Sequence, residues 1–522
     1  MTADTITRTV IQSVIASAAE EMFAILKKTA MSPVIYEVLD VGTGITDADG
    51  NLLSSGAGIP TFVGVLDKSV KWILSVHPRD SLREGDMFVT NDPYHGGVTH
   101  LNDVVVALPV FADGQLIAWT ASIAHWNDIG GLVIGSMSTD ATEIFQEGLR
   151  LPAVRLCAAG RQLDAVFDII AANSRLPDFV RGDLWAQIAA SRLAARRLVD
   201  MVGQYGQAAY RDAVDHLFAE GEARVRSGLA ALPHGTFSLT ETRDDGTPWS
   251  VTVTITAERM TVDLRDAPDQ RAAPYNTTRD GAVIAAQMIL KALADPTPAA
   301  NAGSFRPLEV LTRPGTIFHA DGTAPHGYYF EIRIGLYDLL WHCIAQAMPD
   351  RLPAGHFSSI CGTVVAGLHP DTGRRFTMVE PQMGGWGATA EREGETALYS
   401  ACHGETFNCP AEIVESRYGL DVLYRRLNPA PASTGRHPGG QGLSMCYGVR
   451  AKAILSAGYS RTRQPAWGSA GGGPGGTNRL AITHADGRTE NHAFVSGLSL
   501  QPGDRIEIGT ANGGAWGAGA GG

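Results

Sequence analysis

Residues 91–131, NDPYHGGVTHLNDVVVALPVFADGQLIAWTASIAHWNDIGG, hold two strand-length apolar runs on either side of one turn. Val104 to Phe111 and Leu116 to His125 are joined by Ala112-Asp113-Gly114-Gln115, and Asp-Gly between apolar runs is the strongest short-range hairpin signal. Pairing the strands brings Asp103, just before the first, close to His125, which ends the second. A two-residue loop pairs 112 with 115 and hence 103 with 124, whereas an odd-length loop pairs 103 with 125 on one face. The groups are neighbours in either register. His100, three residues before Asp103 in an irregular Gly-rich approach, can fold back to the same point.

Toward the N-terminus, Val10, Ile11, Val14, Ile15, Ala18, Met22, Ile25 and Leu26 follow the spacing of an amphipathic helix that ends near Lys27, Lys28 and Pro33, packed on a sheet. From Val34 to about Ser54 the residues turn β-rich around Asp47-Ala-Asp-Gly50, a second hairpin signal. Helices dominate from about Ala165 to Gly228, where RGDLWAQIAASRLAARRLVDMVGQYG reads as one long amphipathic segment. Near Pro233 alternation resumes around Asp245-Gly246, and helical stretches follow at 281–295 and 331–348. The last third is glycine-rich, with GGWG at 384–387, GSAGGGPGG at 468–476 and GGAWGAGAGG at the end, between short strand-like runs such as Arg479 to Ile482. The fold class expected is α+β, with multi-layer mixed sheets and long amphipathic helices rather than a βαβ repeat. Three regions are expected: a metal-binding catalytic region at 1–232, an α+β middle at 233–350, and a Gly-rich, β-containing region at 351–522.

With 522 residues, 44% of them hydrophobic, the chain is long enough for two or three packed cores. A formal charge of −12 disfavours nucleic acid or an anionic membrane as partner through long-range repulsion. Six cysteines without a C-x-x-C pair fit reduced thiols in a cytoplasm better than a disulfide framework or zinc ribbon. Glu20 and Glu21 interrupt the N-terminal apolar pattern, which argues against a signal peptide. The sequence has no unbroken apolar run of ~20 residues, the length a membrane span needs.

The density of His95, His100, Asp103, His125 and Asp128 around one hairpin is unusual in a chain with 15 histidines. Imidazole and carboxylate donors together suit zinc, manganese, iron or cobalt, and positions left to water make such a site catalytic. A bound divalent ion lowers the pKa of its water. Asp128 and His95, beside the cluster, are candidates for general base or for orienting the ligands. The alternative is a polar loop rim bonded to backbone, with Asp128 and His95 capping a Gly-rich loop; two short polar clusters are not diagnostic.

NDPYHGGVTHLNDVVVALPVF, then AHWNDIGG, GSMSTDATEIFQEGLRLP and NSRLPDFVRGDLWAQIAA, resemble the hydantoinase B family, most strongly from about residue 35 to 205. That family groups B subunits of ATP-dependent hydantoinases and caprolactamase, the matching half of 5-oxoprolinase, and subunits of acetone and acetophenone carboxylases. The resemblance implies a divalent-metal site on His100, Asp103 and His125 and adds Asp40, the family's acidic residue in its first β segment. It also implies a hydantoinase A-type ATPase partner in an α2β2-type hetero-oligomer, with ATP and Mg bound on that partner. The activity implied is hydrolysis of a cyclic amide, with acetone-type carboxylation as the alternative. The chain itself lacks a G-x-x-x-x-G-K-[ST] loop, which agrees with nucleotide binding elsewhere.

Further residues are singled out by pattern. Glu143 and Glu147, a helical turn apart, read as a solvated face or as facing the site. Asn173, Arg175, Asp183 and Gln187 match the family's N-x-R and GD-x-x-AQ patterns and are expected to order the core or touch substrate. His403, Asn408, Glu412 and Glu415 lie in a family-like stretch explained by a polar helix start. In STGRHPGGQG, Pro438 stands where the family has an arginine, with Arg436 as a replacement for any anion contact. The last ten residues read as a flexible or loosely packed end.

Overall fold

The computed structural model describes residues 4–97, 99–297, 300–404 and 406–519. The chain opens with α1 (Thr5–Thr29), where Asp4 caps the first turn by accepting the Thr7 amide at 2.8 Å and Lys27 and Lys28 sit at the carbonyl end, as the helix dipole favours. Further helices are α2 (Pro33–Tyr36), α3 (Pro60–Val76), α4 (Asp164–Ala172), α5 (Pro177–Tyr205) and α6 (Gln207–Ala230). They surround a seven-stranded antiparallel sheet of β1 (Val41–Asp47), β2 (Leu52–Gly58), β3 (Met87–Thr90), β4 (Asp103–Ala112), β5 (Gln115–His125), β6 (Val154–Ala158) and β7 (Arg161–Gln162), ordered β2-β1-β5-β4-β3-β6-β7.

Both faces of this sheet are covered, which is why β4 and β5 read as near-continuous apolar runs. Val104, Val106 and Leu108 join one core with Ile11, Ile15, Met22 and Leu26 of α1 and Leu184, Ile188 and Leu198 of α5. The alternate residues Val105 and Ala107, with Trp119, Ala121 and Ile123 of β5, pack on Phe62, Val65, Leu66, Val70 and Ile73 of α3. Alternation along each strand thus assigns successive side chains to opposite helical layers. By length and composition α1 is the one helix among the described residues able to cross a membrane, but its apolar stripe is spent in this core.

A second sheet follows, of β8 (Gly235–Thr242), β9 (Pro248–Ile255), β10 (Met260–Asp263) and β11 (Leu308–Leu311), with only the β10–β11 pair parallel. Trp249, Val251, Val253 and Ile255 point into its core. On the outer face Thr236–Thr254, Ser238–Thr252 and Thr240–Ser250 are cross-strand hydroxyl pairs at 2.8–3.0 Å, each contributing roughly 0.2–1 kcal/mol. The inner face is covered by α7 (Arg279–Ala294) and α8 (Tyr329–Ala345). Every residue of α8 except His342 is buried, so it is a central helix packed on all sides.

The last third contains two sheets. One is β12 (Gly362–Leu368), β13 (Arg375–Glu380), β16 (Ala453–Gly458) and β19 (Phe494–Leu500); the other is β14 (Leu420–Leu427), β15 (Leu443–Val449), β17 (Arg479–Thr483), β18 (Thr489–His492) and β20 (Arg505–Gly509). Val365, Met378 and Leu455 of the first meet Leu420, Tyr447, Leu480 and Ile506 of the second in one core. A short α9 (Ala411–Arg417) precedes β14.

The glycine-rich segments correct the expectation of a loose end. Gly513 donates to Gly440 O at 2.9 Å, Gly440 to Trp386 O at 2.8 Å, Gly514 to Gly355 O at 2.8 Å and Ala515 to Gly473 O at 3.0 Å. Backbones from 354–355, 384–388, 438–442, 466–476 and 511–517 therefore pack directly on one another at their glycines. A Cβ added at Gly440 would stand 1.9 Å from Glu395 O, and one at Gly513 would stand 2.0 Å from Trp386 O. Residues 520–522 of the expected loose end lie outside the described residues.

Two glycine substitutions should separate the two environments. Gly513→Ala forces backbone apart and is expected to lose about 1–3 kcal/mol or more, whereas Gly203→Ala, in α5 with nothing within 4 Å of its Cβ, should gain about 0.5–1 kcal/mol. Urea denaturation of both variants reads the difference in sign.

Candidate metal centre

The site begins with the turn between β4 and β5. Asp113 and Gly114 both have positive φ, 49° and 74°, the backbone of a two-residue type I′ turn. Ala112 pairs with Gln115, but the register shifts between Val110 and Phe111, so that Asp103 pairs with His125 rather than with Ala124. The two sequence-level registers are thus reconciled by a bulge, which inserts one extra residue and turns the following side chains to the other face.

Asp40 is placed from the neighbouring strand. Between α2 and β1, Leu39 adopts φ 64°, at a cost of about 1–2 kcal/mol for an L-residue. The bend lets Asp40 donate its amide to Val34 O at 2.9 Å and accept the His125 amide at 3.1 Å. Asp183 of α5 anchors the start of α2 by accepting the Met31 and Ser32 amides at 2.7 and 3.1 Å and the Ser32 hydroxyl. Gln187, one turn on, donates to Val104 O and Ser122 O and accepts the Trp126 indole N–H at 3.0 Å. Both residues therefore serve to order the sheet on which the site stands.

His100, Asp103 and His125 present one ligand atom each, all within 4.8 Å of one another, and all three are buried. His100 Nε2 lies 3.2 Å from Asp103 Oδ2, and its Nδ1 lies 3.0 Å from Gly327 O, so an Nδ1–H donated to that carbonyl leaves Nε2 free for an ion. Thr99 and Tyr329 hydroxyls donate to Asp103 Oδ2, the latter at 3.4 Å. Asp40 Oδ1, Asp103 Oδ1 and His125 Nδ1 are buried without a hydrogen-bond partner. Such orphaned polar atoms are costly in a native core; those of Asp103 and His125 fit a divalent ion with nitrogen and oxygen donors, while Asp40 lines the same cavity but falls outside the three-residue cluster. A cavity of about 30 Å³ between them is walled by Phe62, Met137, Phe330, Ile360, Val364 and Val379, with Glu380 and His403 at its edge. It therefore lies where the first sheet, α8 and β12–β13 meet.

The electrostatics agree with a cation site. Burial pushes His125 down to about 4, keeping its imidazole neutral as a ligand requires. Burial would lower His100 too, but the Asp103 charge and hydrogen bond win and raise it. Asp103 is held below the usual carboxylate range despite its burial, chiefly by His100. Burial, then the Asp103 charge, raise Asp40 well above that range; without a cation, two adjacent carboxylates resist joint ionisation.

Asp128 and His95 do not line this cavity. Asp128 accepts the amides of Gly130, Gly135 and Arg175 and the Arg175 guanidinium at 3.0 Å, and so orders the Gly-rich loop. His95 stacks on Trp72 at 4.6 Å with its side chain 54% exposed and lines a separate surface cleft. Glu143 is exposed, but Glu147 corrects the expectation of a solvated face. It is buried, accepts the His326 amide at 2.9 Å and the Gly327 amide at 2.6 Å, and is pushed up to about 7 by burial. Glu147 thereby holds the backbone whose carbonyl fixes His100. The Asn173 side chain, at the end of α4, donates to Ile169 O of that helix at 2.8 Å. Of the later group, His403 reaches the cavity, Asn408 donates to Glu380 at 2.8 Å, Glu415 accepts the Val422 amide at 3.1 Å, and Glu412 is exposed. Arg436 is exposed beside Gly517. Sequence reasoning passed over Thr99, although it adjoins His100, and Gly327, Tyr329 and Glu380, which only the packing of α8 and β13 against the hairpin brings to the site.

The family described as Hydantoinase B/oxoprolinase matches residues 4–519. The chain is 29% identical over 537 residues to the beta subunit of caprolactamase from Pseudomonas jessenii, covering 99% of this chain and 91% of that one. It is 29% identical over 500 residues to the B subunit of a putative D-/L-hydantoinase from Pseudomonas sp. (strain NS671), covering 92% and 84%. A 5-oxoprolinase of Pestalotiopsis fici is 26% identical over 524 residues, which span 96% of this chain but 40% of that one. In structure, the chain superposes on an ATP-dependent caprolactamase from Pseudomonas jessenii with TM-score 0.91 at 27% identity, over 99% and 92% of the two chains. Acetone carboxylase gives TM-score 0.86 at 17% identity over 98% and 75%, a likeness of fold.

Asp103→Ala and His125→Ala should each abolish divalent-ion retention in elemental analysis while the far-UV circular dichroism stays unchanged. Glu147→Ala should weaken ion affinity by roughly 10-fold through His100. Asp128→Asn should keep the ion but lose about 1–3 kcal/mol of stability.

Proposed function

Given that the chain belongs to the hydantoinase B/oxoprolinase family, we propose that it is the B-type subunit of an ATP-dependent cyclic-amide hydrolase. The observation that carries this reading is the buried His100–Asp103–His125 cluster with its unpartnered ligand atoms, in a chain aligned end to end with the beta chain of a caprolactamase. The longer 5-oxoprolinase, of which this chain spans 40%, supports a second functional unit, here an ATPase chain of the hydantoinase A type in an α2β2-type assembly. The free, buried state of all six cysteines supports a cytoplasmic setting.

In this reading the partner transfers the γ-phosphoryl group of ATP, bound with Mg, to the amide oxygen, and ADP leaves. Phosphorylation converts a poor electrophile into one whose carbon accepts water. The C–N bond then breaks as the ring amine takes up a proton, and a second water releases phosphate from the acyl phosphate. Asp40, His100, Asp103 and His125 would hold a divalent ion of the zinc, manganese or iron type. When bound, such an ion supplies Lewis acidity and lets water act as a nucleophile near neutral pH.

The chain's own residues account for the rest. Gly327 O and Glu147 fix the His100 ring, Thr99 and Tyr329 orient Asp103, and the apolar wall from Phe62 to Val379 excludes bulk water. With Asp128 engaged by Arg175, its place in the mechanism is support of the loop that follows His125. His95, on the surface cleft, is placed to meet substrate or partner outside the metal cavity.

The fold shared with acetone carboxylase favours one competing reading, carboxylation of an activated ketone. The chain co-purified with its ATPase partner should open hydantoin or a lactam with release of ADP and phosphate, and an Asp103→Ala chain should fail to do so. Incorporation of labelled bicarbonate into a ketone without amide turnover would replace the hydrolase with the carboxylase. Full turnover in metal-depleted complex would remove the metal from either.

A further inference from the structure

Arg333, in the second turn of α8, is 0% exposed, and its Nε, Nη1 and Nη2 all lack a hydrogen-bond partner. Other buried or half-buried arginines are neutralised. Arg461 pairs with Asp338 and donates to Pro465 O, Arg425 pairs with Glu380 and donates to Cys409 O, and Arg175 pairs with Asp128. Among the described residues the Arg333 guanidinium packs on the Tyr329 ring, whose centre lies 5.0 Å from the guanidinium carbon. Among the described residues, no carboxylate stands within ion-pairing distance of it.

Its location gives the orphan charge meaning. Its ring partner Tyr329 lines the candidate metal cavity, as does His403, and the Tyr329 hydroxyl donates to Asp103 Oδ2 at 3.4 Å. His403 Nε2 is likewise buried without a partner. Asp40 and Asp103 together match the charge of one divalent ion, so the guanidinium's charge is left over. A buried, planar, five-donor cation without a counter-ion is strongly disfavoured unless something supplies one, and its fork matches oxyanions in bidentate fashion.

We propose that Arg333 is the oxyanion receptor of the site. It engages either the phosphoryl group of the activated substrate or the carboxylate formed on ring opening, beside the divalent ion. This deepens the hydrolase reading and rests on it for the identity of the oxyanion, but not for its binding. Since the donor stands on a helix buried on all sides, the anion would be positioned against a rigid element rather than a loop.

The test is calorimetric titration of the full-length chain, metal-loaded and after chelation, with inorganic phosphate and separately with acetate. Wild type should bind phosphate or acetate saturably in both metal states, the tighter of the two identifying phosphoryl or carboxylate as the ligand. Arg333→Met should weaken that binding roughly 10- to 100-fold, with Arg333→Lys intermediate. The Tm of Arg333→Met should equal or exceed that of wild type, because an unpaired buried charge has been removed. Unchanged affinity in Arg333→Met, no saturable binding by wild type, or a markedly lower Tm in both variants would overturn the assignment. Amide hydrolysis by the complex with the ATPase partner is read in parallel. Its absence alongside Arg333-dependent anion binding retires the hydrolase and leaves the receptor standing, whereas wild-type turnover by Arg333→Met retires the receptor alone.

Discussion

The constraint on which the site depends is the register of one hairpin. Side chains on a strand alternate faces, so a slip of one residue sends Asp103 and His125 to different sides of the sheet. The type I′ turn at Asp113-Gly114 starts the ladder at 112 with 115, and the bulge after Val110 moves it by one to bring 103 opposite 125. Because β4 and β5 are apolar on both faces and covered by helices on both, hydrophobic burial alone does not discriminate between the two registers. The local turn and bulge, with Gln187 bonding Val104 O and Ser122 O, supply that discrimination.

A second constraint is the burial of charge on α8. This helix carries Glu331, Arg333 and Asp338 into the interior, and each is treated differently. Glu331 accepts the Ser359 hydroxyl and the Ile360 and Ser460 amides, which ties α8 to the third sheet. Asp338 is surrounded by Arg461, His356 and the Trp467 indole. Among the described residues the Arg333 side chain alone of the three has no hydrogen-bond partner or counter-ion, and it packs on the ring of Tyr329, which lines the candidate metal cavity. A helix that fixes two charges in closed networks and leaves the third open is rigid where rigidity positions a ligand.

The glycine-rich segments have a third role in this architecture. Their close backbone stacking around 384–388, 438–442 and 511–517 needs the absence of Cβ, not flexibility. It forms a floor behind Trp386 and Trp467, which pack with α8 residues in the second core. The last third therefore supports the helix that closes the candidate metal cavity.

Much of the chain was legible from local pattern. The long N-terminal helix, both early hairpins, the helical run from 164 to 230, the alternation near 235–255 and the helices at 279–294 and 329–345 all rest on periodicity, which short-range sequence encodes. So does the proximity of His100, Asp103 and His125, because a tight turn converts a separation of 22 residues into a strand pair. The bulge that sets their register leaves no mark in composition, and Asp40 entered through family likeness, since its approach depends on a strained Leu39 and a strand not adjacent in sequence. Local pattern reads Glu147 as a solvated carboxylate and the terminal glycines as a loose end, because the amides and backbones that claim them lie more than a hundred residues or several segments away. Sequence by itself determined the elements and the local cluster of candidate ligands, whose contacts are short-range; tertiary structure decided register, the Gly327 and Tyr329 contacts and the isolation of Arg333, because burial and long-range partners exist only once the layers have packed.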